Sequence, residues 1–145
     1  MRVVVQRVTF SNVIVDKKVV GEINKGLNVL VGFTEGDSSK EIDYLINKIV
    51  NLRVFDDENG IMNKSVLDIG GEVLLISQFT LYGDASKGNR PSYVKALNGE
   101  LAEPLYEEML DKMNKIIPTK NGVFGGDMAV RIDNDGPITI IIDSK

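Results

Sequence analysis

The run Val73-Leu74-Leu75-Ile76-Ser77-Gln78-Phe79-Thr80-Leu81, bounded by Gly70-Gly71 before it and Gly83-Asp84 after it, constrains the fold more than any other stretch. Long and β-branched apolar residues without alternation, closed at both ends by turn formers, predict a strand buried on both faces. Such a strand has little use for Ser77, Gln78 and Thr80. A buried polar group left unpaired costs roughly 1–3 kcal/mol, so these three are either hydrogen-bonded inside or face a site that water or ligand can reach.

Strand signals dominate the rest of the chain. Arg2 to Phe10 is β-branched and partly alternating, Asn12 to Ile23 predicts a hairpin turning near Asp16-Lys17-Lys18, and Leu27 to Phe33 predicts a further strand. Ser38 and Glu41 have the spacing of a capping box, and Ile42, Leu45, Ile46, Ile49 and Val50 then recur at helical intervals. Arg53-Val54-Phe55 predicts a short strand, and Asp56 to Gly60 a turn. Pro104 fits the first turn of a second helix whose Leu105, Met109, Met113 and Ile116 face inward, and Pro118 ends it. Met128 to Ile132 and Ile138 to Ile142 predict two strands joined by a turn at Asn134-Asp135-Gly136-Pro137. The expected class is α/β: mixed β-sheets forming a sandwich or barrel-like core, with two long helices packed on the outside. No linker, repeat or low-complexity tract divides the chain, so residues 1–145 are expected to form one domain.

Composition narrows the chemistry. The 145 residues include no cysteine and no histidine. Ser-His-Asp and Cys-His nucleophiles, cysteine metal sites and His-ligated zinc are therefore excluded, and a hydrolase built on this chain must manage its protons differently. Neither a metal nor a cofactor is expected. No apolar run approaches a membrane span, which makes a soluble, cytoplasmic protein the default. The net charge of −4 argues weakly against a nucleic-acid binder. Its distribution is uneven, because Asp84 to Lys95 holds Lys87, Arg90 and Lys95 against one anion, whereas Leu101 to Asp111 holds only acids. From charge alone, a solvated surface is the plainer reading of both runs.

Three places could carry chemistry. If Ser77 to Thr80 is strand, alternation puts Ser77 and Phe79 on one face and Gln78 and Thr80 on the other, and the frayed end leaves backbone N–H donors free. A side-chain amide and a backbone N–H aimed at one point form an oxyanion hole; polar capping of a strand end is the plainer reading. Thr80 could be a nucleophile only with a base beside it. The second place is Asp135-Gly136-Pro137 with Thr139, which in isolation is an ordinary turn. The third comprises the glycine-rich segments Gly122 to Met128 and Gly83 to Ser92. They lack phosphate-loop spacing, although Lys87 and Arg90 could meet phosphates.

Taken together, Ser77-Gln78-Phe79-Thr80-Leu81, Gly88-Asn89-Arg90-Pro91-Ser92, Ala102 with Leu105-Tyr106, and Asn134-Asp135-Gly136-Pro137-Ile138-Thr139 resemble the D-aminoacyl-tRNA deacylase family. The resemblance begins at Gln6-Arg7-Val8 and covers essentially the whole chain. It implies a homodimeric cytosolic enzyme that hydrolyses the ester between a D-amino acid, or glycine, and the terminal adenosine of tRNA. By the same resemblance, Gln78 and the Phe79 N–H lie near the scissile ester and Thr80 near the substrate's amino group. Ser77, Phe124 and Met128 line the pocket, and Gly136-Pro137 is a cis pair reaching into the partner subunit's pocket, supported by Arg7. Gly126 departs from the alanine usual there, which implies a looser wall. Lys87, Arg90 and Lys120 are the candidates for a basic rim that meets tRNA.

The physics of such a reaction fits these residue types. Even a thousandfold preference for the D isomer amounts to about 4 kcal/mol, and the two isomers present the same groups. Exclusion discriminates better than attraction: a backbone wall clashes with the wrong isomer and costs the right one nothing, and glycine slips past. With no histidine to serve as base, the substrate's own 2′-hydroxyl is the expected helper. The competing readings are a non-catalytic tRNA-binding module and a small-molecule or structural assembly protein.

Overall fold

The computed structural model describes residues 1–144. Its spine is β1 (Arg2–Val15). Arg2 to Val8 of β1 pair antiparallel with β3 (Gly26–Gly32), and Ser11 to Val15 pair on with β2 (Lys18–Ile23). The connection between β1 and β2 is a tight turn with Asp16 and Lys17 both at positive φ, the hand that matches the twist of a two-residue hairpin. β6 (Glu72–Ser77) and β7 (Thr119–Asn121) extend the sheet in parallel from β3, and β8 (Ala129–Asp143) pairs antiparallel along most of β1. β2 curls back over β7 so closely that a Cβ on Gly21 would lie 2.6 Å from the Asn121 carbonyl oxygen. The sheet is nearly closed, like a barrel. α1 (Ser39–Asn51) and α2 (Gly99–Asn114) pack outside it, and β4 (Phe55–Asp56) with β5 (Met62–Lys64) forms a separate small hairpin.

β6 is buried on both faces, as its composition predicts. Val73 and Leu75 join the larger core with Val29, Val31, Ile42, Leu45, Met109 and Met113, between sheet and helices. Leu74 and Ile76 point the other way, into a smaller cluster with Val8, Val13 and Ile23 inside the curled sheet. The alternation of one strand thus feeds two cores. α1 carries the capping box: the Ser38 hydroxyl accepts from the Lys40 N–H, Glu41 accepts from the Ser38 N–H at 2.8 Å, and Ile42, Leu45, Ile46, Ile49 and Val50 face inward. Among the described residues, no helix is long and apolar enough to cross a membrane.

The structure corrects several expectations. The strand that starts at Val73 stops at Ser77, and Phe79–Tyr82 is a 3-10 turn. The cause lies in the neighbouring strand: β3 ends at Gly32, the Gln78 N–H makes the last ladder contact to the Val31 carbonyl at 2.8 Å, and beyond it there is no partner. Gly32 also permits the fold-over, since a Cβ there would meet the Gln78 carbonyl at 3.0 Å and Leu81 Cβ at 3.2 Å. Phe10 to Asn12 is not a break but the middle of β1. Its buried Ser11 is satisfied by donating to the Arg131 carbonyl at 2.7 Å and accepting from Asn28. The second helix begins earlier than predicted, at Gly99 with Asn98 as cap, so Pro104 lies within it and Ile116 is exposed beyond its end. Finally, Asn134 to Pro137 is not a turn between two strands. β8 runs straight through it, because β1 is long enough to pair on both sides.

Candidate active site

The C-terminal ends of β3 and β6 open into a cavity of about 870 Å³. Its walls come from the 3-10 turn, the loop before α2, the start of α2 and the loop joining β7 to β8. Of the residues singled out by sequence, Ser77, Gln78, Phe79, Phe124 and Met128 all line it. Ser77 is the last residue of β6, opposite Val31. Gln78 spends its backbone N–H on Val31, and among the described residues its side-chain amide has no hydrogen-bond partner. The geometry of a short 3-10 turn leaves the N–H groups of Phe79 and Thr80 without an acceptor inside the turn. An amide side chain and a free backbone donor therefore sit next to each other at the cavity edge. They come together through the turn, not through strand alternation.

This corner is held from three sides. Arg2 donates to the Leu81 carbonyl at 3.0 Å, lies over the Tyr82 ring at 5.2 Å, and is itself fixed by Asp143 at 2.8 Å. The Asp143 hydrogen bond holds the Arg2 pKa above its ordinary value. Burial, reinforced by nearby Asp37, pushes the Tyr82 phenol up to about 12, so it stays neutral. Within the helix layer, the Tyr106 hydroxyl donates to the Leu75 carbonyl at 2.7 Å, and its ring packs at 5.7 Å against Phe124. Burial raises the Tyr106 pKa as well. Across the mouth, Phe79 meets Tyr93 edge to face at 5.2 Å.

Phe124 is presented by a turn from Val123 to Gly126, closed by a 3.0 Å hydrogen bond from the Gly126 N–H to the Val123 carbonyl, with Gly125 at φ +71°. At Gly126 the added Cβ would contact Val123 at 3.1 Å, on the turn itself. Gly126 itself lines the cavity, and the methyl group that an alanine would add faces the turn. Gly122 allows Met128 to lie over the backbone: a Cβ there would be 2.5 Å from its sulfur.

Other expected residues lie elsewhere. Thr80 is exposed and outside the lining. Lys87 and Arg90 occupy the tip of a loop whose neck is tied by reciprocal 2.8 Å bonds between Asp84 and Ser92, one residue before the cavity residue Tyr93. The Ser86 side-chain and backbone hydrogen bonds lower the Asp84 pKa. Lys120 is on β7 opposite Leu74, three residues short of the end of β6. At about 3.3 Å per residue it is roughly 10 Å from that edge. Tyr93, Ala96, Leu97, Leu30 and Val130 also line the cavity and went unnoticed in the sequence. They come from β3, the loop before α2 and β8, and carry no local signal.

Gly136 and Pro137 are not part of this lining. Both are exposed, joined by a cis peptide bond, at the crest of a bulge in β8. Gln6 pairs with Thr139 and Val8 with Asn134, so Arg7 alone faces the intervening stretch from Asp135 to Ile138. The Arg7 guanidinium lies 3.2 Å from the Asp135 carboxylate and donates to the Val54 carbonyl at 2.8 Å. Gly136 sits at φ +116°, and a Cβ there would meet Ile138 Cγ1 at 2.7 Å.

Comparison with known proteins agrees with this architecture. The chain is 58% identical to the D-aminoacyl-tRNA deacylase of Clostridium tetani and 56% to that of Clostridium acetobutylicum, with 100% of this chain and 98% of each relative covered. A solved structure named c-Myc DNA Unwinding Element Binding Protein superposes with a TM-score of 0.95 at 42% identity, covering 100% of this chain and 99% of that one. Another, described as "Structural Analysis of a probable eukaryotic D-amino acid tRNA deacylase", reaches a TM-score of 0.83 at 16% identity over 97% of both chains, and shares the fold. The family model described as D-Tyr-tRNA(Tyr) deacylase matches residues 4–143, and with such relatives along its whole length the chain belongs to that family.

Proposed function

We infer that this chain is a cytoplasmic D-aminoacyl-tRNA deacylase: a hydrolase that frees tRNA from a D-amino acid or glycine and rejects the L isomers. The observation that carries the reading is the full-length identity to named deacylases, together with a cavity whose edge carries the Gln78 amide beside the Phe79 N–H. Water adds to the ester carbonyl, the carbonyl oxygen takes up the negative charge, and the bond to the ribose oxygen breaks to release amino acid and tRNA. Gln78 and the Phe79 N–H are the donors for that oxyanion, a role in which one donor typically contributes about 2.7–4 kcal/mol to the barrier. The substrate's 2′-hydroxyl assists the attacking water, since the chain has no histidine or cysteine to do so. Ser77, Phe124 and Met128 shape the pocket, and Thr80 meets the substrate's amino group.

Selectivity falls to Gly136-Pro137. In one subunit this pair is exposed and outside the cavity lining, which supports a homodimer in which each bulge enters its partner's pocket. There it forms a main-chain wall where an L side chain would have to go, with Arg7 bracing its base. Lys87, Arg90 and Lys120 supply phosphate contacts, which position any tRNA without reading its sequence.

Hydrolysis of D- and L-tyrosyl-tRNA tests the reading: D must be cleaved at least about a thousandfold faster. Substrate ending in 2′-deoxyadenosine should be nearly inert, and full turnover on it removes the RNA-assisted step. Thr80→Ala is expected to weaken binding while chemistry survives; loss of chemistry with binding kept restores a threonine nucleophile. Rate constants at subsaturating substrate should fall with salt, and a flat response ends the basic-rim assignment.

A second reading, a nucleic-acid-binding module without catalysis, has one observation in its favour: the 42% identical structure is named for binding DNA. Such a module would bind uncharged tRNA as well as charged and hydrolyse neither.

A further inference from the structure

The Gly136-Pro137 crest stands on the side chain of Asn134. The two carbonyls nearest its amide, those of Arg7 and Ile138, can only accept, so the nitrogen faces them and donates to each at 3.0 Å. The amide oxygen accepts from Gln6 Nε2 at 3.1 Å and lies 3.0 Å from the Thr139 hydroxyl. Both donors and both lone pairs are therefore used. The partners lie at and beside the bulge: Gln6 and Thr139 form the pair that closes it, Arg7 faces it, and Ile138 is its last residue. The Thr139 hydroxyl is also 3.3 Å from the Pro137 carbonyl, so its single proton is within reach of both oxygens.

Ladder pairing cannot do this work. Four residues of β8 stand opposite one residue of β1, which leaves the crest without regular backbone partners. An exposed segment lacking such partners would sample several shapes, and a wall that moves does not exclude. We propose that Asn134 is a positioning residue for stereoselectivity, clamping the neck of the bulge with Gln6 and Thr139 as its buttresses. Asn134 need not touch substrate. This inference rests on the deacylase reading for its functional meaning and on the bulge alone for its structural content.

The test uses the full chain and the variants Asn134→Asp, Asn134→Ala, Thr139→Val and Thr139→Ser, with Asn51→Asp on exposed α1 as control. Two readouts are taken: the ratio of D- to L-tyrosyl-tRNA hydrolysis, and the backbone amide resonances of Gly136 and Ile138. Asn134→Asp keeps the shape but turns a carboxylate oxygen toward two carbonyls. It is expected to lower the D-to-L ratio by roughly tenfold or more, the net worth of one or two hydrogen bonds, and to shift or broaden both resonances. Thr139→Val should do the same to a smaller degree, and Thr139→Ser, which keeps the hydroxyl, should restore the parent ratio. A purely structural role would lower stability and leave the ratio per folded molecule unchanged. Should Asn134→Asp, or Asn134→Ala, fold and keep the parent ratio within about twofold, the proposal is overturned. If neither folds, the Thr139 pair decides it in the same way. If the parent protein hydrolyses neither substrate, the deacylase reading falls and the resonances judge the clamp: unchanged Gly136 and Ile138 signals in Asn134→Asp defeat it, and altered signals uphold it.

Discussion

The Ser77 to Thr80 corner and the Gly136-Pro137 crest are two irregular places in the sheet, and they are built in opposite ways. The corner is concave. It forms because β3 runs out at Gly32, and Arg2, donating to the Leu81 carbonyl, braces it. The crest is convex. It forms because β8 carries surplus residues opposite Arg7, and side-chain hydrogen bonds hold its base. The corner displays unused donors, whereas the crest displays backbone and almost no side chain. One region is suited to stabilising charge that develops during a reaction, and the other to occupying space. Within one subunit the crest does not line the cavity that the corner borders.

The sharpest way to break this contrast is Gln78→Ala. Among the described residues the side chain has no hydrogen-bond partner, so its loss should leave the urea midpoint unchanged while D-tyrosyl-tRNA hydrolysis falls by about a hundredfold or more. Equal losses of rate and stability would make Gln78 a packing residue. Gly136→Ala comes next. It puts a Cβ 2.7 Å from Ile138 Cγ1 in a backbone region that L residues avoid, and should cost about 1–3 kcal/mol. Its signature is a drop in the D-to-L hydrolysis ratio of roughly tenfold or more with the D rate less affected, the reverse of the Gln78 pattern.

Smaller effects separate scaffold from site. Tyr106→Phe removes a buried bond to the Leu75 carbonyl and should cost about 1–2 kcal/mol in chemical unfolding, with substrate selectivity intact. Phe79→Leu keeps the backbone N–H and loses only the edge contact with Tyr93, so the rate should change by less than about tenfold. A collapse in rate would move the role from the N–H to the ring.

The smallest effect is on pH. Tyr82 and Tyr106 both have pKa values raised by burial, so the folded chain holds their protons after the unfolded chain has released them. Their stabilisation is complete below about pH 10 and is lost as pH rises toward the folded values. Unfolding free energy measured against pH should begin to fall there, and Tyr106→Phe should flatten the decline. With no histidine, no side chain has its unperturbed pKa between about pH 5 and 8, so stability should be nearly level across that range.

Much of this was readable in advance, and the exceptions have causes. The helix starting after Ser38 announced itself through a cap and a period, both local properties. β6 declared its two-sided burial through an unbroken apolar run. Ser77, Gln78, Phe79, Phe124 and Met128 were selected by sequence and do line one cavity, but Tyr93, Leu97 and Val130 beside them could not be, because residues of the loop before α2 and of β8 become neighbours of β6 only on folding. The extent of the second helix was misjudged because Pro104 resembles a start signal, yet Asn98 caps the helix a turn and a half earlier and the helix absorbs the proline.

By itself the sequence determined the α/β class, the strand run at the centre, the turn residues, and, through the absence of histidine and cysteine, which reaction mechanisms are closed to this chain. These follow from side-chain identity and short-range periodicity, which need no neighbour. Tertiary structure alone decided where β6 stops, since a strand persists only while another lies beside it, and β3 ends at Gly32. It also decided that Gly136-Pro137 is the crest of a bulge and not the bend of a hairpin, because β1 is long enough to pair with β8 on both sides of it. A residue's preference for extended backbone is local, but the hydrogen bonds that reward it depend on how far the partner strand reaches.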